Sequence, residues 1–238
     1  LLPFSYQPDA DTELLLPLDA VPLEDSAGNF TVEATEAEIS TTTRRTGGGS
    51  LLVDDSADRV LVTPTSSRLF QPGVEWGSFT LEFWLYPVVL ADGERILEWR
   101  GREGAARDFR VQELEVTVER RRLRYELVNF FSPPDGSEYS VVLEGDEGLL
   151  PRRWSHHMLR FDSETARLEY LVDGRTAAVT HVSVTGREDG TVFFPRTAQF
   201  VSPEITLVSS FTGAIDEVRL LRRFASDPEI PHFHPEGG

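Results

Sequence analysis

The 238-residue sequence contains no cysteine, no lysine and a single methionine. Without cysteine there are no disulfides, no thiolate nucleophiles and no cysteine-ligated metals. Without lysine there is no Schiff-base chemistry, and all 23 cationic residues are arginines, as a GC-rich genome would produce. No apolar run approaches the roughly 20 residues that a membrane-spanning helix needs, and no basic patch supports a peripheral membrane role. Positive charge is scarce: 40 acidic residues leave a formal net charge of −17. Such a field repels phosphate backbones and argues against nucleic acid as a partner. It fits a solvated acidic surface able to attract cations. The chain starts at Leu1 instead of a methionine, so we expect that a leader segment has been removed. Cysteine-free composition is compatible with export from a bacterial cell.

Hydrophobic content of 39% and charged content of 26% are ordinary for a globular protein. We read residues 1–238 as one domain with an irregular tail over 226–238 and no helix start after Arg223. Helical periodicity is nearly absent. Short stretches alternate with period two between Gly, Pro, Asp and Ser punctuation. In Phe79-Thr-Leu-Glu-Phe-Trp-Leu-Tyr86 the odd positions Phe79, Leu81, Phe83 and Leu85 share one face, and Thr80, Glu82, Trp84 and Tyr86 share the other. Further strands are expected at Leu51–Val53, Val60–Thr63, Arg95–Trp99, Phe109–Val118, Leu123–Phe130, Tyr139–Leu143, His156–Asp162, Arg167–Val172, Thr176–Val184, Ile205–Ser209 and Ala214–Arg222. About a dozen strands with short turns predict an all-β, two-sheet antiparallel jelly-roll sandwich. Glu119-Arg-Arg-Arg122 and Val172-Asp-Gly-Arg175 read as hairpin connections, because Asp-Gly suits the positive φ of a tight turn. Pro133-Pro-Asp-Gly136 marks a loop, and Gly47-Gly-Gly-Ser50 reads as a flexible loop within the domain.

Four segments in order carry a resemblance: Leu16-Pro-Leu-Asp19 with Asp25-Ser-Ala-Gly-Asn29; Ser78 through Pro87; Trp154-Ser-His-His157 through Phe161-Asp162 and Tyr170-Leu-Val-Asp-Gly174; and Gly213-Ala-Ile-Asp-Glu-Val-Arg-Leu220. Together they resemble bacterial laminin-G-like domains of the concanavalin A-like lectin and glucanase superfamily, over about residues 14–224. The resemblance implies that the first and last strands lie side by side. Alternation of Ile215, Val218 and Leu220 fits such a strand, with an irregularity at Asp216-Glu217. Three positions depart from the family pattern: Ala20, the run Leu52-Val-Asp-Asp55, and the tail.

Site expectations follow partly from the resemblance. It implies a structural calcium held by Asp19, Asp25 and Asp216, since calcium takes six to eight oxygens; the alternative is that these are turn and cap aspartates. It also implies sugar stacking on aromatic residues. The face bearing Glu82, Trp84 and Tyr86 is the expected platform, extended by Trp76, Trp99, Phe130, Phe131 and Tyr139, unless Trp84 and Trp154 are packing residues. For hydrolysis, two carboxyls about 5 Å apart would be needed. The nearest lookalike, Glu113-Leu-Glu-Val-Thr-Val-Glu119, has the wrong spacing, and we expect no catalytic residue there. His156 and His157 are adjacent and point to opposite faces of a strand. In an extended tail His232 and His234 share a face that can hold adventitious metal; a solvated tail is the favoured alternative. Asn29-Phe-Thr31 is a glycosylation sequon of little meaning in a bacterial protein. The expected role is a non-catalytic extracytoplasmic module recognising glycan or protein. The alternatives are a self-assembling subunit of a surface layer, appendage or sheath, and a glycoside hydrolase.

Overall fold

A computed structural model describes residues 5–36, 38–54, 59–105 and 108–231. Asp55, His232 and His234 lie outside the described residues. In chain order the strands are β1 (Thr12–Leu16), β2 (Phe30–Thr35), β3 (Glu38–Ser40), β4 (Ser50–Val53), β5 (Arg59–Pro64), β6 (Phe79–Pro87), β7 (Arg95–Ala105), β8 (Asp108–Glu119) and β9 (Arg122–Val128). They continue with β10 (Phe131–Ser132), β11 (Ser140–Glu144), β12 (Ser155–Asp162), β13 (Arg167–Val172), β14 (Arg175–His181), β15 (Phe194–Pro195), β16 (Phe200–Leu207) and β17 (Gly213–Leu221). One sheet runs β14-β13-β12-β6-β17-β4-β3, with β1 also on β17; the second runs β11-β9-β8-β7-β16-β5-β2; β10 and β15 form a small ribbon. All pairings are antiparallel. Among the described residues no helix is long and apolar enough to cross a membrane.

Period-two alternation sets the core. Phe79, Leu81, Phe83 and Leu85 of β6 face inward and meet Leu114, Val116 and Val118 of β8 and Leu123, Tyr125 and Leu127 of β9 in one cluster. Trp76, Trp99, Phe70, Phe79 and Phe130 pack edge to face, with ring centroids 5.1 Å apart for Phe70–Trp76 and for Trp76–Phe130. Each such pair adds roughly 0.5–1.5 kcal/mol beyond its area burial. The predicted hairpins are present. Asp173 and Gly174 adopt φ of 50° and 79° between β13 and β14, and Arg120 and Arg121 adopt 49° and 62° between β8 and β9.

β1 lies against β17, so the two ends of the chain are tied side by side. Where β17 faces β6, Asp216 opposes Trp84 but Arg219 opposes Glu82, so β17 carries one extra residue, and Glu217 has φ of 51°. This bulge turns Asp216 and the extra Glu217 to the outer face while Ile215 and Val218 stay in the core.

Thr80, Glu82 and Trp84 on the outer face of β6 are not open to water. Three segments strap them: Tyr6 over Glu82, Arg45 over the Trp84 ring at 4.3 Å, and residues 223–225 over Thr80, whose hydroxyl donates to the Arg223 carbonyl (2.9 Å) and accepts from Ala225 N–H (2.9 Å). The tail departs from the expected irregularity. Ser226 and Glu229 form a capping box that opens a 3-10 turn, Asp227–Glu229. Ile230 then packs with Ala225 on Met158 and Leu171.

Candidate functional site

Most of the aromatic platform expected from the sequence lies inside the molecule. Trp84 is 1% exposed and Trp99 2%. Trp76, Phe130 and Phe131 are buried in the same aromatic cluster as Trp99, because burying these rings outweighs presenting them to solvent. Glu82 is 0% exposed. Its carboxylate accepts from Arg219 Nε (2.7 Å) and Nη2 (2.5 Å), from His156 Nε2 (2.8 Å) and from the Tyr6 hydroxyl (3.2 Å). Burial alone would raise its pKa, but His156 and Arg219 hold it below the ordinary value. These donors leave Glu82 no exposed oxygen for a ligand. Tyr86 and Tyr139 keep partial exposure. Tyr86 pairs with Trp154, ring centroids 5.3 Å apart, and Tyr139 pairs edge-on with Phe193 at 5.0 Å in a recess beside Pro133, Pro134 and Val184.

The expected calcium ligands accept hydrogen bonds from the chain's own N–H groups. Asp25 accepts four backbone donors, from Leu15 (2.9 Å), Ala27 (3.0 Å), Asn29 (2.8 Å) and Phe30 (3.1 Å). Asp19 accepts Gly48 (2.6 Å) and Gly49 (2.9 Å) N–H, and Asp216 accepts Arg45 (2.9 Å) and Thr46 (3.0 Å) N–H. Glu217 takes the Thr46 hydroxyl at 3.0 Å and Tyr6 N–H at 3.4 Å. Gly47 sits at φ 51° against the Asp19 carboxylate, where a Cβ would collide. Asp19, Asp216 and Glu217 thus clamp the loop and the N-terminal strap to the sheet. Among the described residues no three acids or histidines gather as a metal-ligand set. The buried Asp216 Oδ1 has no hydrogen-bond partner among the described residues. Burial, Glu217 and Asp19 push the Asp216 carboxyl up to about 7.

The interior holds a group with triad-like spacing. Ser155 Oγ lies 2.7 Å from His157 Nε2, and His157 Nδ1 lies 2.7 Å from the Tyr170 hydroxyl. Burial and neighbouring His156 push the His157 imidazole down to about 3, so it is neutral at pH 7. The Tyr170 phenol makes no other hydrogen bond among the described residues and burial raises its pKa, so it donates to Nδ1. Nε2–H therefore donates to Ser155, the reverse of what a general base requires. His156 faces outward onto Glu82 and His157 inward onto Phe83, as their adjacency on a strand predicts. Glu113 and Glu115 lie on the outer face of the second sheet, paired with Arg100 (2.6 Å) and Arg95 (2.8 Å).

A groove of about 680 Å³ opens where the straps end, over β12, β13 and β14. Strand register builds its floor. Arg160, Glu169 and Val179 form one row across three strands, and Asp162, Arg167 and His181 form the next. Glu169, 1% exposed, accepts Arg160 Nε (2.9 Å), Arg167 Nη2 (2.7 Å) and the Thr176 hydroxyl. Burial opposes its ionisation, yet Thr176, Arg160 and Arg167 together hold its pKa below the ordinary value. Arg160 also donates to the Ala225 carbonyl (2.7 Å), pairs with Asp227 (2.9 Å) and lies 4.3 Å from the Phe224 ring. Glu169 is used up within this lattice, and what the groove presents to solvent is the Arg167 guanidinium and the Asp227 carboxylate beside the apolar Phe224 and Val179. The sequence reading missed this lattice. Its available signal was charge at alternate outward positions of two strands joined by a hairpin, Arg160 with Arg167 and Glu169.

Two antiparallel sheets closed over a shared core place the chain in the all-β sandwich class. The chain belongs to the concanavalin A-like lectin/glucanases superfamily: residues 55–231 match its Laminin_G_3 family. Among solved structures it is similar to the botulinum neurotoxin serotype D binding domain (11% identity, TM-score 0.61, covering 93% of this chain and 50% of that one). It is also similar to the serotype G binding domain (13% identity, TM-score 0.60, 93% and 50%) and the binding domain of Paraclostridial Mosquitocidal Protein 1 (11% identity, TM-score 0.59, 93% and 51%). The chain therefore spans about half the length of these structures. No curated protein matches it in sequence.

Proposed function

We propose that this chain is a non-catalytic recognition module acting outside the cytoplasm of a bacterial cell, and that the groove over β12–β14 holds a glycan. The observation that carries this reading is the groove itself, whose floor is a carboxylate–guanidinium lattice set before any ligand arrives. Sugar hydroxyls pair with the accessible Arg167 guanidinium and Asp227 carboxylate that the lattice holds in place, and the apolar wall beside them accepts the ring face. Family membership supports the recognition role, as do the structural neighbours, which are themselves described as binding domains. One neighbour's structure is in complex with rat synaptotagmin II, which keeps protein ligands in the test panel. A glycan array followed by calorimetry, run with and without calcium, tests the reading. Binding that falls roughly tenfold or more on Arg167→Ala or Phe224→Ala is expected; failure to bind any glycan removes it.

Self-assembly is the second reading, favoured by exposed Val142 (45%) on edge strand β11 and Val179 (50%) on edge strand β14. Light scattering that shows a monomer at every concentration removes it.

A further inference from the structure

Arg196 stands apart from the other arginines. Those that are likewise withdrawn from solvent are engaged: Arg122, Arg124, Arg160, Arg219, Arg222 and Arg223 meet carboxylates, Arg44 donates to two backbone carbonyls, and Arg45 covers Trp84. Arg196 is half-buried as a residue, and its guanidinium has no hydrogen bond, ion pair or ring contact among the described residues. In a chain of net charge −17 an acid partner would be easy to supply. A guanidinium without a protein partner leaves its donors free for a ligand.

It lines a second cleft, of about 340 Å³, between β8 and the loop around Pro133–Pro134. The walls are built with care. Gln112, 4% exposed, donates to the Asn129 carbonyl (3.0 Å) and to the Arg196 carbonyl (2.5 Å), and accepts Ala198 N–H (2.8 Å). One buried side chain thus fixes the backbone on which Arg196 stands. Arg110 Nη1 donates to the Gly136 carbonyl (2.5 Å) and fastens the loop to β8. Glu103, the one acid of the lining, accepts Gln199 N–H at 2.9 Å. Arg110 also pairs with Glu138 at 3.7 Å, and Glu75 lies opposite Arg196 across an isolated bridge, so of the two guanidiniums Arg196 is the one left without a carboxylate in contact among the described residues. Ser132 and Ser137 line it with hydroxyl-bearing side chains, and Phe131 and the two prolines add apolar surface.

We propose that this cleft binds a sugar bearing a carboxylate, with the carboxylate seated on Arg196. A planar guanidinium fork matches a carboxylate bidentately, the serines suit ring hydroxyls, and the volume sits at the small end of ligand sites, enough for one or two rings. The site shares no residue with the groove over β12–β14, so either can fail alone. The test is titration of ¹⁵N-labelled protein with digalacturonate, neutral digalactose and N-acetylglutamate amide. Digalacturonate alone should shift the Arg196 Nε–H and Gln112 side-chain amide signals saturably. Arg196→Gln should weaken that binding by roughly ten- to a hundredfold, and Arg196→Lys, which keeps charge but loses the fork, should also weaken it. Unchanged amide signals elsewhere would show that both variants are folded. Equal binding of digalactose, Arg196-dependent binding of the glutamate compound without digalacturonate, or no shift at millimolar digalacturonate would each overturn the proposal.

Discussion

His157 makes the stability of this fold depend on acid in a way that can be isolated. The imidazole is 0% exposed, stacks on Phe83 with ring centroids 5.7 Å apart, and bridges Ser155 to Tyr170. Its pKa falls from 6.5 to about 3, first through burial and then through His156. The folded protein therefore leaves this site unprotonated where the unfolded chain takes up a proton. Stability from this group is fully present above pH 6.5 and is lost as pH falls toward 3. The slope approaches about 1.4 kcal/mol per pH unit, so roughly 3 kcal/mol is lost by about pH 4.5. Asp216 works with the opposite sign, so the wild-type profile alone would mix the two. The clean measurement is the difference between wild type and His157→Gln in urea titrations followed by tryptophan fluorescence, from pH 7.5 to 4.5. The variant carries a constant penalty from its altered hydrogen bonds, but wild type should lose about 3 kcal/mol relative to it across that range. Parallel stability curves would show that His157 takes up a proton in the folded state, and the argument from burial would be refuted.

Asp216, raised from 3.8 to about 7, contributes stability that is present below pH 3.8 and lost as pH rises through 7. Asp216→Asn should therefore gain up to about 4 kcal/mol relative to wild type between pH 4 and 7; a pH-independent difference in urea midpoints counts against this. Glu82→Ala strands Arg219 without its carboxylate inside the strapped face and should cost about 3–5 kcal/mol, read as a lowered Tm in calorimetry. A chelator should leave Tm unchanged, because Asp19, Asp25 and Asp216 already hold backbone N–H groups; a fall in Tm that calcium restores would reverse that assignment.

The alternation of Phe79 to Leu85 was enough to name one buried face of β6, and Asp173-Gly174 was enough to place a hairpin, because both are local consequences of strand pleat and backbone sterics. The irregularity at Asp216-Glu217 was legible for the same reason: two acids interrupt the apolar period. The capping box at Ser226 and Glu229 is also written locally, as a serine and a glutamate three residues apart with a proline between them. What no local pattern contains is what lies over a face. Glu82 and Trp84 alternate as though they met water, yet segments more than 35 residues away in sequence cover them with Tyr6 and Arg45. Trp99 and Tyr139 are both aromatic, and only packing sends one into the core and leaves the other at a recess. The groove on β12–β14 and the cleft at Arg196 arise where straps and loops stop short. That boundary is set by long-range packing, since burying a side chain depends on which distant segment reaches it and not on its neighbours in sequence.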